Sequence, residues 1–287
     1  MKKIFLLGCI LLFNSYWLRA QSVFWEIESP EGKVSHLLGT YHLLGAKFLE
    51  AHPKMQVAYE ESDAVIVETI MDSTQLMKVA MSGFDPTVSL QKLSDSAEYA
   101  LIKGVMEPLL GIPLSAADQI FPLNLSVTYS VQLAAKCMPE ELRHDGAPID
   151  IFLGWKAAKD NKQVVGLESL QEQMNILFRS QTPEEQMRDL LSLLSDTSAA
   201  RRTTKQLVEA YAFGDLETMY NLSMEMEESM GDMNAWLDDR NIAWMPQLKP
   251  LLNEGGCFIA VGALHLPGEN GLLRLLKEAG YTMRPIE

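Results

Sequence analysis

Cys257-Phe258-Ile259-Ala260-Val261-Gly262-Ala263-Leu264-His265 is an unbroken apolar run that stops at a glycine and delivers a histidine three positions later. An apolar run without polar alternation is what a strand covered on both faces requires. Near the other end of the chain, Val34-Ser35-His36-Leu37-Leu38-Gly39-Thr40-Tyr41-His42 repeats the ending. Two more short runs, Ala64 to Val67 and Gln163 to Leu167, complete a set of four predicted core strands. Long stretches of helical spacing lie between them. The fold class is therefore α+β or α/β: a mixed, mostly parallel central sheet built from both ends of the chain, surrounded by helices with large helical insertions.

Working outward, Val23 to Ile27 and the turn-like Ser29-Pro30-Glu31-Gly32 predict a hairpin with the Val34 strand, which makes the leading edge antiparallel. Helices are predicted over Pro53 to Ser62, Ser73 to Met81, in several pieces from Ser89 to about Lys136, and over Ile149 to Asp160. A second helical run covers Glu168 to Gln181, Thr182 to Ala199, Ala200 to Ala212, Asp215 to Glu228 and Met233 to Asn253. Asn270 to Ala279 and a last strand, Tyr281 to Pro285, close the chain. Thr182-Pro183-Glu184-Glu185 carries a start signal: a capping hydroxyl, proline at the first helical position and acids in the first turn.

With 287 residues and 47% hydrophobic content, the chain can bury a substantial core, and residues 21–287 read as a single domain. A net charge of -14 argues against nucleic acid or an anionic membrane as the main partner. Residues 1–20 read as an export signal: Lys2 and Lys3, the apolar run Ile4 to Phe13, and a small residue, Ala20, at the expected cleavage site. The expected location is periplasmic or extracellular. Leu6-Leu7-Gly8-Cys9 is followed by more apolar residues, not by a polar mature terminus, so it is not read as a lipid-attachment site. No later stretch approaches the roughly 20 apolar residues of a membrane span, which predicts no stable membrane insertion after cleavage. Cys137 and Cys257 allow one disulfide, but the preferred reading is two small buried thiols, because Cys257 begins a core strand.

Ligands of open α/β sheets bind beyond the carboxyl ends of the strands, where side chains from several strands converge. Here the four predicted strands run out into His42, Glu68, Glu168 and His265. Two imidazoles and two carboxylates suit a divalent transition metal such as manganese, cobalt or zinc, with an open position for an activated water. The glycine before each histidine is expected to allow a tight exit from the strand and a close backbone N–H. Local readings compete with this: Glu168 stands where a helix cap could be, and Arg240 can pair with Asp238 or Asp239 on its own helix. Arg240 and Asn241 are otherwise candidates to steady an oxyanion or orient substrate, with Gln171 and Gln173 as weaker ones. His36, His52 and His144 read as structural or solvated, and the methionines from Met219 to Met233 as soft packing.

Together these segments resemble the TraB/GumN family, which is related to the Tiki metalloproteases. The resemblance rests on Leu38-Gly39-Thr40-Tyr41-His42, on Glu61-Ser62-Asp63 leading to Glu68, and on Val165-Gly166-Leu167-Glu168-Ser169 with Gln173. Gly214-Asp215, Arg240-Asn241 with Trp244, and Val261 to Leu266 with Gly268 and Gly271 extend it along nearly the whole mature chain. It implies metal-dependent peptide-bond hydrolysis at His42, His265 and Glu68. The expectation is thus an exported metallopeptidase acting on a peptide or protein substrate. Two rivals use the same cleft: a metal-independent, esterase-like hydrolase, and a protein that sequesters a peptide without cutting it.

Overall fold

A computed structural model describes residues 22–71, 73–140, 143, 146–225 and 233–287. The export signal, His144, Met226 and Met230 lie outside the described residues.

Six strands form one sheet: β1 (Phe24–Glu28), β2 (Val34–Thr40), β3 (Ala64–Val67), β4 (Gln163–Gly166), β5 (Cys257–Gly262) and β6 (Thr282–Pro285), in the order β4-β3-β5-β2-β1-β6. β4, β3, β5 and β2 run parallel to one another; β1 is antiparallel to both β2 and β6. The hairpin and the mixed, mostly parallel sheet from both chain ends are thus present. β6, not the hairpin, forms the outer edge. Every residue of β3 is buried, as are the first five of β5, which explains why both read as continuous apolar runs.

Helices α1 (Ala46–Glu50) and α2 (Pro53–Glu61) link β2 to β3. Between β3 and β4 lie α3 (Ser73–Ser82), α4 (Leu90–Leu93), α5 (Ser96–Leu110), α6 (Pro122–Cys137) and α7 (Ile149–Lys159). Between β4 and β5 lie α8 (Leu170–Arg179), α9 (Pro183–Ser195), α10 (Thr197–Ala212), α11 (Leu216–Glu225) and α12 (Asp239–Glu254); α13 (Leu272–Glu278) precedes β6. Thr182 caps α9 in a reciprocal box with Glu185, as its sequence demands. The predicted Thr182 to Ala199 helix is broken, because Asp196 accepts from the Ala199 N–H and starts α10.

The main core surrounds the sheet. A second cluster, including Leu90, Ile102, Met106, Leu125 and Leu190, lies wholly within the helical mass. Cys137 and Cys257 are both free thiols, the latter buried. Met219 and Met233 are buried, in keeping with a packing role. Among the described residues no helix is long and apolar enough to cross a membrane.

Candidate functional site

β5 lies between β2 and β3, so the two Gly-x-x-His strands are neighbours and Glu68 follows on the far side of β5. The β3–β4 ladder continues past both strands, with Leu167 N–H donating to Val67 O and Glu168 N–H to Glu68 O, each at 3.0 Å. The two glutamates therefore sit side by side. Ser169, not Glu168, caps α8 in a box with Glu172. That leaves the Glu168 side chain for the site.

Arg240 fills the centre. Its Nε donates to Glu168 Oε2 at 3.0 Å, and Nη2 to Glu168 Oε1 at 2.6 Å and Glu68 Oε2 at 2.5 Å. Nη1 donates to the Trp236 carbonyl at 2.9 Å and reaches His265 Nε2 at 3.1 Å. A guanidinium has five N–H groups, and each has a partner within the protein. Arg240 is therefore a frame for the carboxylates and His265, with no donor left for an oxyanion. It does not pair with Asp238 or Asp239. A π turn over Asn234–Asp238 precedes α12 and carries the Trp236 carbonyl that receives Nη1. The Trp244 ring lies beneath the guanidinium at 4.9 Å.

Asn241 is equally committed. Its Nδ2 donates to the backbone carbonyls of His265 and Asn270 at 3.2 and 2.9 Å, and its Oδ1 lies 2.8 Å from His265 Nδ1. Because Nδ2 takes both carbonyls, Oδ1 must accept, which places the proton of His265 on Nδ1 and the lone pair on Nε2. Burial, aided by the Arg240 and His42 charges and opposed by Glu68, lowers the His265 pKa to about 3. The imidazole is neutral over the ordinary pH range.

Glu68 Oε1 accepts the Gly262 N–H at 2.7 Å and lies 3.7 Å from His265 Nε2. Gln173 Nε2 donates to Oε2 at 3.0 Å, so this weaker candidate belongs to the site; Gln171 instead bonds Asn175 on the exposed side of α8. Burial opposes ionisation of Glu68, but the neighbouring imidazoles, Arg240 and the Gly262 N–H outweigh it and carry its pKa down to about 2. The close backbone N–H expected of the motif glycine is present. After β5 the tight exit is a 3-10 turn over Ala263–His265, and it needs no left-handed backbone: neither Gly39 nor Gly262 has positive φ.

The side chains of Glu68, Glu168, Arg240 and His265 are 12%, 8%, 10% and 4% exposed. His42 stands at the mouth, its side chain 66% exposed, with Nδ1 2.9 Å from Asp150 Oδ2. The Asp150 carboxylate raises the His42 pKa to about 9, and because the ring is exposed, water and salt screen that attraction. Nothing in the local sequence marks Asp150 as a site residue. It sits inside a predicted helix, and only the docking of α7 against the loop after β2 brings it to His42. His36 stacks on Phe24 at 5.6 Å and His52 bonds the Phe48 carbonyl at 2.6 Å; both are structural.

A divalent ion can be tested against this donor set. Both imidazoles are anchored through Nδ1, which suits ligation, but only His42 leaves Nε2 open; that of His265 accepts from Arg240. The carboxylates do not suit it: both Glu168 oxygens and one of Glu68 are held by Arg240, whose charge stands where an ion would. Among the described residues no three His, Cys, Asp or Glu side chains are grouped to hold one. As arranged, the residues fit the guanidinium and not a four-ligand ion.

The sequence profile of the TraB/PrgY/gumN family matches residues 23–285. The chain is 24% identical over 265 residues to an uncharacterized protein called YbaP from Shigella flexneri, covering 88% of this chain and 91% of that protein. The YbaP protein of Escherichia coli strain K12 matches over the same extent with the same identity. An uncharacterized protein of Treponema pallidum is 21% identical over 277 residues, covering 90% of this chain and 81% of its own.

Proposed function

The chain belongs to the TraB/PrgY/gumN family, and we propose that it is an exported hydrolase that cleaves an amide bond of a peptide or protein substrate at His42, Glu68 and His265. One observation carries this reading: a solvent-facing imidazole, His42, stands over a buried floor whose carboxylates and second imidazole are locked by Arg240 and Asn241. Proton transfer needs a group that water and substrate can reach, and the surrounding charges need to be fixed beforehand. His42, in the unprotonated form that its raised pKa makes the minor one below about pH 9, takes a proton from the attacking water at Nε2 and returns it to the leaving nitrogen, so turnover should climb with pH toward that value. Glu68 is too acidic to act as the base and instead orients the water by accepting from it. Export is supported by the Lys2 to Ala20 sequence.

A second reading keeps the metal, because both imidazoles are anchored through Nδ1 as ligand histidines are. His42, His265 and Glu68 would hold manganese, cobalt or zinc, which supplies a bound water of lowered pKa; Arg240 would have to leave its place. Peptidase assays with chelator and with each added metal separate the two. Turnover that survives strong chelation sinks the metal reading. Unchanged turnover in His42→Ala and His265→Ala sinks the site itself, and a peptide bound stoichiometrically but recovered uncut points to sequestration.

A further inference from the structure

Asp150 is placed by backbone, not by its own side chain. It lies in the first turn of α7 behind Pro148, and the Ile149 N–H donates to the Leu44 carbonyl at 2.9 Å, which ties the start of the helix to the loop carrying His42. One carboxylate oxygen, Oδ2, meets His42 Nδ1; the other, Oδ1, is shielded from water and has no hydrogen-bond partner among the described residues. A carboxylate left half-satisfied in this way weakens a fold. His42, for its part, is so exposed that nothing else described fixes its ring by a hydrogen bond. An unanchored imidazole samples several rotamers and both tautomers, and loses rate accordingly.

We propose that Asp150 is the positioning residue of the site, accepting the Nδ1–H of His42 and thereby turning Nε2 toward Glu68 and the substrate. The inference rests on the hydrolase reading of the same site. In the reaction the water O–H bond breaks and its proton joins Nε2 while the hydroxide oxygen bonds the carbonyl carbon. As the C–N bond breaks, the Nε2 proton passes to the leaving nitrogen, and the imidazole returns to its starting form. Asp150 keeps its charge throughout.

The test compares full-length Asp150→Asn and Asp150→Glu with wild type and His42→Ala. Measured above the His42 pKa, where the ring is unprotonated with or without the carboxylate, Asp150→Asn should lower kcat by roughly 10²–10⁴-fold with KM within about threefold, because the orientation of the base is lost while the substrate contacts remain. Its melting temperature should hold or rise, whereas removal of a structural ion pair would lower it. Asp150→Glu should recover at least about tenfold of the lost kcat. In nitrogen NMR of the neutral ring, wild-type His42 should carry its proton on Nδ1, and Asp150→Asn should lose that preference. A wild-type kcat in Asp150→Asn while His42→Ala is inactive overturns the proposal, as does a marked fall in melting temperature without the tautomer change. If His42→Ala is as active as wild type, the hydrolase reading of the site has failed instead. The tautomer measurement still decides whether Asp150 sets the ring.

Discussion

Replacing Arg240 with lysine preserves the charge but offers three donors to five acceptors, so at least two of the hydrogen bonds around it are lost. Arg240→Lys should therefore destabilise the fold by about 1–3 kcal/mol. Arg240→Ala should cost about 3–5 kcal/mol, because Glu68 and Glu168 are then left as buried, uncompensated carboxylates. Urea unfolding measures both, and a loss below about 0.5 kcal/mol for the alanine variant would contradict the frame role. At this scale the sequence was informative about position and poor about role. His42, Glu68, Glu168 and His265 were findable because each ends a buried strand. Arg240 and Asn241 were found as polar residues near the site, but that all their donors are already engaged depends on atoms contributed by four separate segments. Asp150 left no local trace, since its contact with His42 crosses 108 positions.

The glycines of the two Gly-x-x-His motifs work at the level of elements. A Cβ on Gly39 would come 3.0 Å from the Ala263 Cα and 3.1 Å from Leu266 Cδ2. The first of these atoms is backbone, so β2 and the short turn after β5 would have to part. Gly39→Ala is expected to cost about 1–3 kcal/mol in thermal or urea unfolding. A Cβ on Gly262 would instead meet Glu68 Oε1 at 3.2 Å, the end of a side chain that can yield. Gly262→Ala should change stability by less than about 1 kcal/mol while reducing turnover, because it pushes the carboxylate away from its N–H donor. If both variants lose stability equally, the two glycines share one structural job and this distinction fails. The strands were legible to within one or two residues because doubly covered parallel strands are short, apolar and bounded by turns. α1 was missed, since five residues show no helical period. Helical spacing extends back to Glu168, but α8 begins at Leu170, and that two-residue offset is what separates a helix cap from a site carboxylate.

Burying four charged or titratable groups at one end of the sheet ties the stability of the whole molecule to pH. His265 is neutral when folded, with a pKa lowered to about 3 against an ordinary 6.5, so between these values the unfolded chain binds the extra proton and stability falls as the solution is acidified. Glu68 acts in the same direction over a lower window: its contribution is full above about 4.5 and is lost as pH falls toward about 2. His42 has the opposite sign, with stability present below 6.5 and lost as pH rises toward about 9, but its exposure makes that contribution small. Against the acid loss stands the relief of self-repulsion as a chain of net charge -14 approaches its pI near 4.8. That relief comes from surface charges screened within about 8 Å at physiological salt, whereas the His265 effect arises in a dry interior and is of the order of several kcal/mol. The buried cluster should win. In 0.15 M salt the melting temperature is expected to drop steadily from pH 6.5 to 4.5, on the side of the pI where surface charge alone would raise it. His265→Gln, which has nothing to protonate, should flatten that slope. A melting temperature that rises toward pH 5 in the wild type, or a slope unchanged in His265→Gln, would place the acid sensitivity elsewhere than in this site.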